Sequence, residues 1–152
     1  MVRVELSVIV PIYNEAKSIN LLYERIRHSL EFWRGSFEII FVDDGSIDES
    51  HDILNALYHS GEAVKIVFLK RNFGQTAALM AGVEHSHGDS IVFLDGDLQN
   101  DPADIPGMLS KLDEGYDVVS GWRKERQDPF FSRRLPFVVC EQADFFCYRC
   151  SS

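Results

Sequence analysis

The sequence predicts an α/β fold in which helices cover both faces of a mostly parallel sheet. Short β-branched apolar runs alternate with amphipathic segments about every 25 residues, and polar residues follow the end of each apolar run. Strand–helix–strand units of this kind are right-handed and align their strands in parallel. Up to residue 121, no linker or internal repeat interrupts the alternation.

The first half of the chain contains two predicted strand–helix units. The apolar runs at 7–12 and 37–42 are short and β-branched, which favours buried strands over helices. Residues 16–33 carry apolar side chains at three- and four-residue spacing, as an amphipathic helix does. Ser46 is followed by a glutamate three residues later, and this capping-box spacing predicts a helix at 48–59.

The second half repeats the pattern. A third strand is predicted at 64–69 and an alanine-rich helix at 75–85. A fourth strand is predicted at 91–94. An aspartate followed by proline then has the order of a helix cap and a first helical residue, which predicts a helix at 101–115. A shorter fifth strand is predicted at 117–120.

Composition bounds the class of protein. The 152 residues are 45% hydrophobic and 26% charged, as expected for one globular domain. Lys and Arg number 15 against 24 Asp and Glu, and the net charge of −9 argues against a nucleic-acid partner. No apolar run reaches the roughly 18 residues of a membrane span. The three cysteines all lie in the tail, and an odd number in one segment predicts no disulfide framework: Cys140, Cys147 and Cys150. Because disulfide-free chains are typical of reducing compartments, and no membrane span is predicted, we expect a soluble, cytoplasmic chain.

Polar residues directly follow the carboxyl end of each predicted strand. Because ligands of open parallel sheets bind beyond the carboxyl ends of the strands, these residues are expected to converge on one site. In chain order they are Tyr13, Asn14, Glu15, Asp43, Asp44, Lys70, Arg71, Asn72, Asp95, Asp97 and Arg123.

The acidic pair after the fourth strand is the sharpest of these features. Asp95 and Asp97 are two residues apart, so both carboxylates can face one cation, and Gly96 between them permits a close backbone approach. Gln99 can add a carbonyl oxygen, and such oxygen ligands favour Mg²⁺ or Mn²⁺. The alternative is a solvated loop in which Asp97 or Asp101 caps the next helix.

Other polar segments have equally open interpretations. The sequence from Asp43 to Ser46 is typical of a turn with a helix cap, or supplies a carboxylate that binds a nucleobase or ribose. Asn14 and Glu15 can start a helix instead of binding a ligand. A basic cluster is either a solvated surface run or a contact for phosphates or an anionic membrane face: Arg123, Lys124, Arg126, Arg133 and Arg134.

Four segments at matching spacing resemble glycosyltransferase family 2, and more narrowly its polyprenyl-phosphate sugar transferases. The resemblance spans residues 5–134. It implies a GT-A fold, an inverting mechanism, and a UDP- or GDP-sugar as donor with a polyprenyl phosphate as acceptor. The segments are Ser7 to Glu15, Val42 to Ser46, Arg71 to Gln75, and Asp95 to Gln99.

The resemblance also implies roles for individual residues. Asp95, Asp97 and Gln99 would hold a divalent metal, Mg²⁺ or Mn²⁺, with Asp95 also near the donor ribose or sugar. Arg123 would face the phosphates, and Asp44 would order the turn. The nucleotide-sugar pocket would be lined by Pro11, Tyr13, Asn14, Glu15, Asp43, Asn72, Asp95 and Gly96. The catalytic residues would be Asp95, Asp97 and Arg123.

The resemblance fades beyond residue 134. We therefore expect a GT-A nucleotide-sugar-binding domain at 1–134 and an unassigned tail at 135–152. Family members continue much further and act at the cytoplasmic face of the membrane, so a shortened chain is expected. Three alternatives stay open, namely a non-catalytic nucleotide-sugar-binding fragment, a transferase acting on a saccharide hydroxyl, and a phosphorylated signalling domain with acidic strand ends.

Overall fold

The computed structural model describes residues 3–60, 63–121 and 145–149. Within these ranges six strands form one sheet in the order β3-β2-β1-β4-β6-β5. The strands are β1 (Leu6–Ile12), β2 (Phe37–Asp43), β3 (Val64–Phe68), β4 (Ser90–Leu94), β5 (Val118–Ser120) and β6 (Phe145–Arg149). All five strands predicted from the sequence are present.

Four helices connect these strands. They are α1 (Ile19–Ser29), α2 (Ser50–Ser60), α3 (Gln75–Glu84) and α4 (Ile105–Asp113), the last preceded by a 3₁₀ turn at Pro102–Asp104. The predicted cap is confirmed, because the Asp101 carboxylate accepts a hydrogen bond from the Ala103 amide and a proline follows it. In the part of the chain that the structure describes, no helix is both long and apolar enough to traverse a bilayer.

The sheet is mostly parallel, as the alternation predicts. β1 pairs in parallel with β2 and β4, and β2 pairs in parallel with β3. Only β6 runs the other way, antiparallel to both β4 and β5. The carboxyl ends of β1 to β4 therefore meet at one edge of the sheet, where a binding site is expected.

Helices cover both faces of the sheet. Alternate residues of β1 point to opposite faces, so that Val8 packs in one buried cluster and Ile9 in the other. α1, α2 and α4 cover the first face, whereas α3 covers the second with Ala78. The missing side chain of Gly82 lets α3 lie close to β1, since a Cβ there would be 2.4 Å from Ile9 Cγ2.

The prediction that Ser46 and Glu49 form a capping box at the start of α2 is wrong. The helix begins at Ser50 rather than at 48, because the preceding residues form turns that use the polar side chains locally. Ser46 Oγ accepts a hydrogen bond from the Asn14 amide at 3.0 Å instead of capping the helix. Asp48 Oδ1 accepts from the Ser50 amide at 3.0 Å. The serine thus ties the turn after β2 to the turn after β1.

The tail contributes a strand that the sequence analysis did not assign. β6 lies between β4 and β5, and its Cys147 is fully buried in the larger core cluster. Burial raises the pKa of the Cys147 thiol to about 12. At neutral pH this thiol is protonated and packs as a small apolar side chain.

A buried carboxylate stabilises the opposite, amino edge of the sheet. Glu38, only 4% exposed, lies 2.6 Å from Lys65 Nζ. It also accepts hydrogen bonds from Ser7 Oγ and the His87 amide, each at 2.7 Å. Burial raises the pKa of Glu38, but these partners together outweigh it and hold the pKa below its ordinary value of 4.5.

We expect Glu38→Gln to remove a pH-dependent part of the stability. Because the folded pKa is lowered, the contribution is complete above about pH 4.5 and is lost as the pH falls through the folded pKa. The loss in free energy of unfolding should be about 2 kcal/mol at neutral pH and should shrink as the pH falls below about 4.5. Urea unfolding across this range measures it, with exposed Glu24→Gln as control. An undiminished difference at low pH would contradict the expectation.

Candidate functional site

A cleft of about 330 Å³ opens at the carboxyl edge of the sheet. The turn after β1, the end of β2, the loop between β3 and α3, and the loop after β4 all contribute to it. Its lining residues are Pro11, Ile12, Tyr13, Glu15, Asp44, Asn72, Gly74, Gln75, Ala78, Asp95, Gly96 and Asp97. Polar residues that are far apart in the sequence therefore share one cavity, as the strand-end pattern predicts.

Gly96 brings the loop after β4 against the end of β1. A Cβ at this position would lie 2.8 Å from Ile12 Cδ1 and 2.9 Å from the Pro11 carbonyl oxygen. Distances this short exclude any larger residue unless the backbone moves. The glycine thus holds Asp95 and Asp97 beside the turn that carries Tyr13.

Two amide side chains contact the Asp95 carboxylate. Gln75 Nε2 donates to Asp95 Oδ1 at 2.9 Å, and Asn100 Nδ2 donates a longer bond to Oδ2 at 3.4 Å. Asp97 is exposed, and its Oδ1 accepts from the Gln99 amide at 3.0 Å. Gln99 itself is exposed and is not among the residues that line the cleft.

Asp44 fixes the loop that precedes α3. Its carboxylate is 3% exposed and accepts hydrogen bonds from the Phe73 amide at 2.8 Å and the Gly74 amide at 2.9 Å. Hydrogen bonds to an ionised acceptor are about twice as strong as neutral ones. Asp44 thus orders a turn, as expected, but the turn belongs to the β3–α3 loop, and the residue also lines the cleft.

Asp43 is buried at the end of β2 and does not line the cleft. It is 2% exposed, and its Oδ1 accepts from the Ser46 amide at 2.9 Å. Its Oδ2 lies 3.6 Å from His51 Nδ1. The arrangement is that of an aspartate turn at the end of a strand.

Asn14 joins the turns after β1 and β2. Its φ of 57° is left-handed, a conformation that asparagine tolerates better than most residues. Its Oδ1 accepts from the Ile47 amide at 2.9 Å. Asn14 does not cap α1, which begins five residues later at Ile19.

The structure brings most of the predicted site residues together. Five predicted residues lie outside the cleft lining, namely Asn14, Asp43, Lys70, Arg71 and Gln99. Arg123 and the rest of the basic cluster lie outside the described residues. Asp44, which the strand-end pattern included and the resemblance assigned only to a turn, lines the cleft, and so does Gln75, which the sequence analysis did not name as a ligand-binding residue. The predicted residues that line it are Pro11, Tyr13, Glu15, Asn72, Asp95, Gly96 and Asp97.

The donor atoms of the acidic pair fit a hard divalent cation. Asp95 and Asp97 offer carboxylate oxygens to one cleft, and such oxygens are the ligands of Mg²⁺ and Mn²⁺. Among residues 3–60, 63–121 and 145–149, no group of three or more His, Cys, Asp or Glu side chains forms a complete metal site. Oxygens from a ligand or water would have to complete the coordination, as Mg²⁺ sites commonly require.

Sequence relatives share most of this chain. Dodecaprenyl-phosphate galacturonate synthase of Rhizobium johnstonii is 46% identical over 136 residues, an alignment that covers 87% of this chain and 40% of the relative. Undecaprenyl-phosphate 4-deoxy-4-formamido-L-arabinose transferase of an Enterobacter species is 46% identical over 136 residues, covering 89% and 42%. The chain thus spans about two fifths of the length of these relatives.

Solved structures share the fold. The mannosyltransferase PcManGT from Pyrobaculum calidifontis, in complex with GDP-Man and Mn²⁺, superposes with a TM-score of 0.70 at 25% identity, covering 80% of this chain and 36% of that one. S. aureus TarS 1-349 in complex with UDP-GlcNAc gives a TM-score of 0.65 at 25% identity, covering 82% and 37%. These neighbours confirm the predicted GT-A fold.

A family model matches almost all of the described sheet and the strand ends that line the cleft. The description "Glycosyl transferase family 2" matches residues 7–148, which include most of β1, every strand end that lines the cleft, and most of β6. The chain therefore belongs to glycosyl transferase family 2.

Proposed function

We propose that the cleft binds a nucleotide-diphosphate sugar with a divalent cation, as the donor site of an inverting glycosyltransferase whose acceptor is a polyprenyl phosphate. The observation that carries this proposal is the shared cavity, in which Asp95 and Asp97 lie with Tyr13 and Glu15 at the carboxyl edge of the sheet. The named relatives act on dodecaprenyl or undecaprenyl phosphate, and PcManGT was solved with GDP-Man and Mn²⁺.

The charge of the cleft supports a cation. Glu15, Asp95 and Asp97 line it, and together they would repel a diphosphate. A cation between the carboxylates and the diphosphate would offset this repulsion and the charge that develops on the leaving group. Asp95 and Asp97 would hold the cation, and Arg123 stays a prediction for phosphate binding.

The proposed acceptor suits a direct displacement. A phosphate oxygen of the lipid attacks the anomeric carbon, the bond from that carbon to the diphosphate breaks, and the nucleoside diphosphate leaves with the electron pair. A phosphate is already anionic, so its attack needs no general base, whereas a saccharide hydroxyl needs one. A lipid acceptor also means that the complete transferase works at a membrane surface.

Isothermal titration tests the donor site. We expect UDP or GDP, and the corresponding nucleotide sugars, to bind the chain more tightly with Mn²⁺ than with EDTA. Turnover with polyprenyl phosphate then separates a transferase from a non-catalytic nucleotide-sugar-binding fragment, which would bind the donor without transfer. Phosphorylation of an aspartate with no nucleotide affinity would contradict the proposal in favour of a signalling domain.

A further inference from the structure

Gln75 connects the start of α3 to the acidic pair. It is the first residue of the helix, and its Nε2 reaches Asp95 Oδ1 at 2.9 Å across the cleft that both residues line. The second oxygen of Asp95 has a longer bond of 3.4 Å to Asn100 Nδ2. Between these two amides, Gln75 makes the shorter hydrogen bond and thus the stronger one.

We propose that Gln75 is a positioning residue, which holds the Asp95 carboxylate in place for a divalent cation. This inference rests on the proposed function, because it assigns Gln75 a role in the same donor site. Partners that hydrogen-bond a ligating carboxylate fix its orientation, and their loss typically lowers metal affinity by about 10- to 100-fold.

The neutrality of Gln75 matters to this role. An amide holds Asp95 Oδ1 without neutralising the carboxylate, and a carboxylate oxygen in general accepts more than one interaction. A lysine or arginine at the same place would itself neutralise Asp95 and compete with the metal. Gln75 therefore positions Asp95 while the acidic pair keeps its full charge.

Asp44 fixes the position of Gln75 through the loop that precedes α3. Asp44 accepts hydrogen bonds from the amides of Phe73 and Gly74, the two residues that precede the helix. Gly74 has a φ of 95°, which glycine adopts without strain and which turns the chain into α3. The buried carboxylate of Asp44, directly after β2, thus sets the place from which Gln75 reaches Asp95.

The test compares nucleotide affinity with Mn²⁺ and with EDTA, using whichever of UDP and GDP the chain binds more tightly. We expect Gln75→Met, which keeps length and helix propensity, to lower the Mn²⁺-dependent gain about tenfold while affinity in EDTA stays unchanged. The exposed neighbour Thr76, replaced in Thr76→Val, is the matched control and should leave the gain unchanged.

A second variant separates positioning from packing. In Gln75→Lys the introduced ammonium should raise affinity in EDTA and abolish the gain from Mn²⁺, which a purely structural role would not produce. An unchanged gain in Gln75→Met overturns the proposal, and so does an equal loss of affinity with and without Mn²⁺. A wild-type chain without any gain from Mn²⁺ instead contradicts the proposed metal-dependent donor site, and this proposal with it.

Discussion

Asp97→Asn is expected to remove most of the Mn²⁺-dependent gain in nucleotide affinity, by about 100-fold or more. The substitution keeps the size of the side chain and removes one of the two carboxylate charges of Asp95 and Asp97, which line the cleft and would face the proposed cation. Loss of a metal ligand should lower metal affinity at least as much as loss of a residue that hydrogen-bonds a ligand, for which a 10- to 100-fold decrease is typical. Titration of UDP or GDP with Mn²⁺ and with EDTA measures the effect.

Substitution of Asp97 should change nucleotide binding without changing stability, because its side chain contributes little to the fold. The side chain is exposed, and the contact described for it is to the nearby Gln99 amide. Asp117→Asn removes the same charge from an exposed aspartate at the amino end of β5, on the opposite edge of the sheet, and serves as the control. Equal effects of the two substitutions would mean that net charge alone drives binding and that Asp97 holds no cation.

The sheet could be predicted from the sequence because its signals are local. β-branched runs such as the one in β1 and the helical spacing in α1 report burial on each element by itself. Right-handed connections then force parallel strands, so the convergence of Tyr13, Asp44 and Asp95 on one edge follows from topology alone. The cleft is the consequence of those two rules.

β6 could not be predicted because its evidence is not local. The run at Phe145–Arg149 has no alternation of apolar and polar residues. Its insertion between β4 and β5 depends on pairing with strands more than 20 residues earlier in the chain. Sequence periodicity contains no information on such pairing.

The sequence also could not show that Asp43 and Asp44 take different positions, with only Asp44 lining the cleft. Two adjacent aspartates have the same chemistry, and only the last turn of the strand decides which one reaches the cleft wall. Asp43 ends β2 and bonds its own turn at Ser46, whereas Asp44 bonds the Phe73 amide of another loop. Gln75 was missed for a related reason, since its partner Asp95 is 20 residues away.

Gly45→Ala is expected to give the largest loss of stability among single methyl additions near the site. Gly45 has a φ of +70°, which costs an alanine about 1–2 kcal/mol. Its Cβ would also lie 2.5 Å from the carbonyl carbon of Arg71 and 2.7 Å from the Asn72 amide nitrogen, and such overlap typically costs about 1–3 kcal/mol. The two effects together predict a loss of roughly 3 kcal/mol, or about 10 °C in Tm.

The control for this substitution is Gly107→Ala in α4, where a Cβ meets nothing within 4 Å. Alanine is the better helix former, so Gly107→Ala should leave the free energy of unfolding unchanged or raise it by up to about 1 kcal/mol. Thermal and urea unfolding of both variants compare a strained methyl with an unstrained one. If Gly45→Ala were no less stable than Gly107→Ala, the β3–α3 loop could not lie against the turn after β2. Asp44 could then not hold that loop, and Gln75 would lose its fixed position beside Asp95.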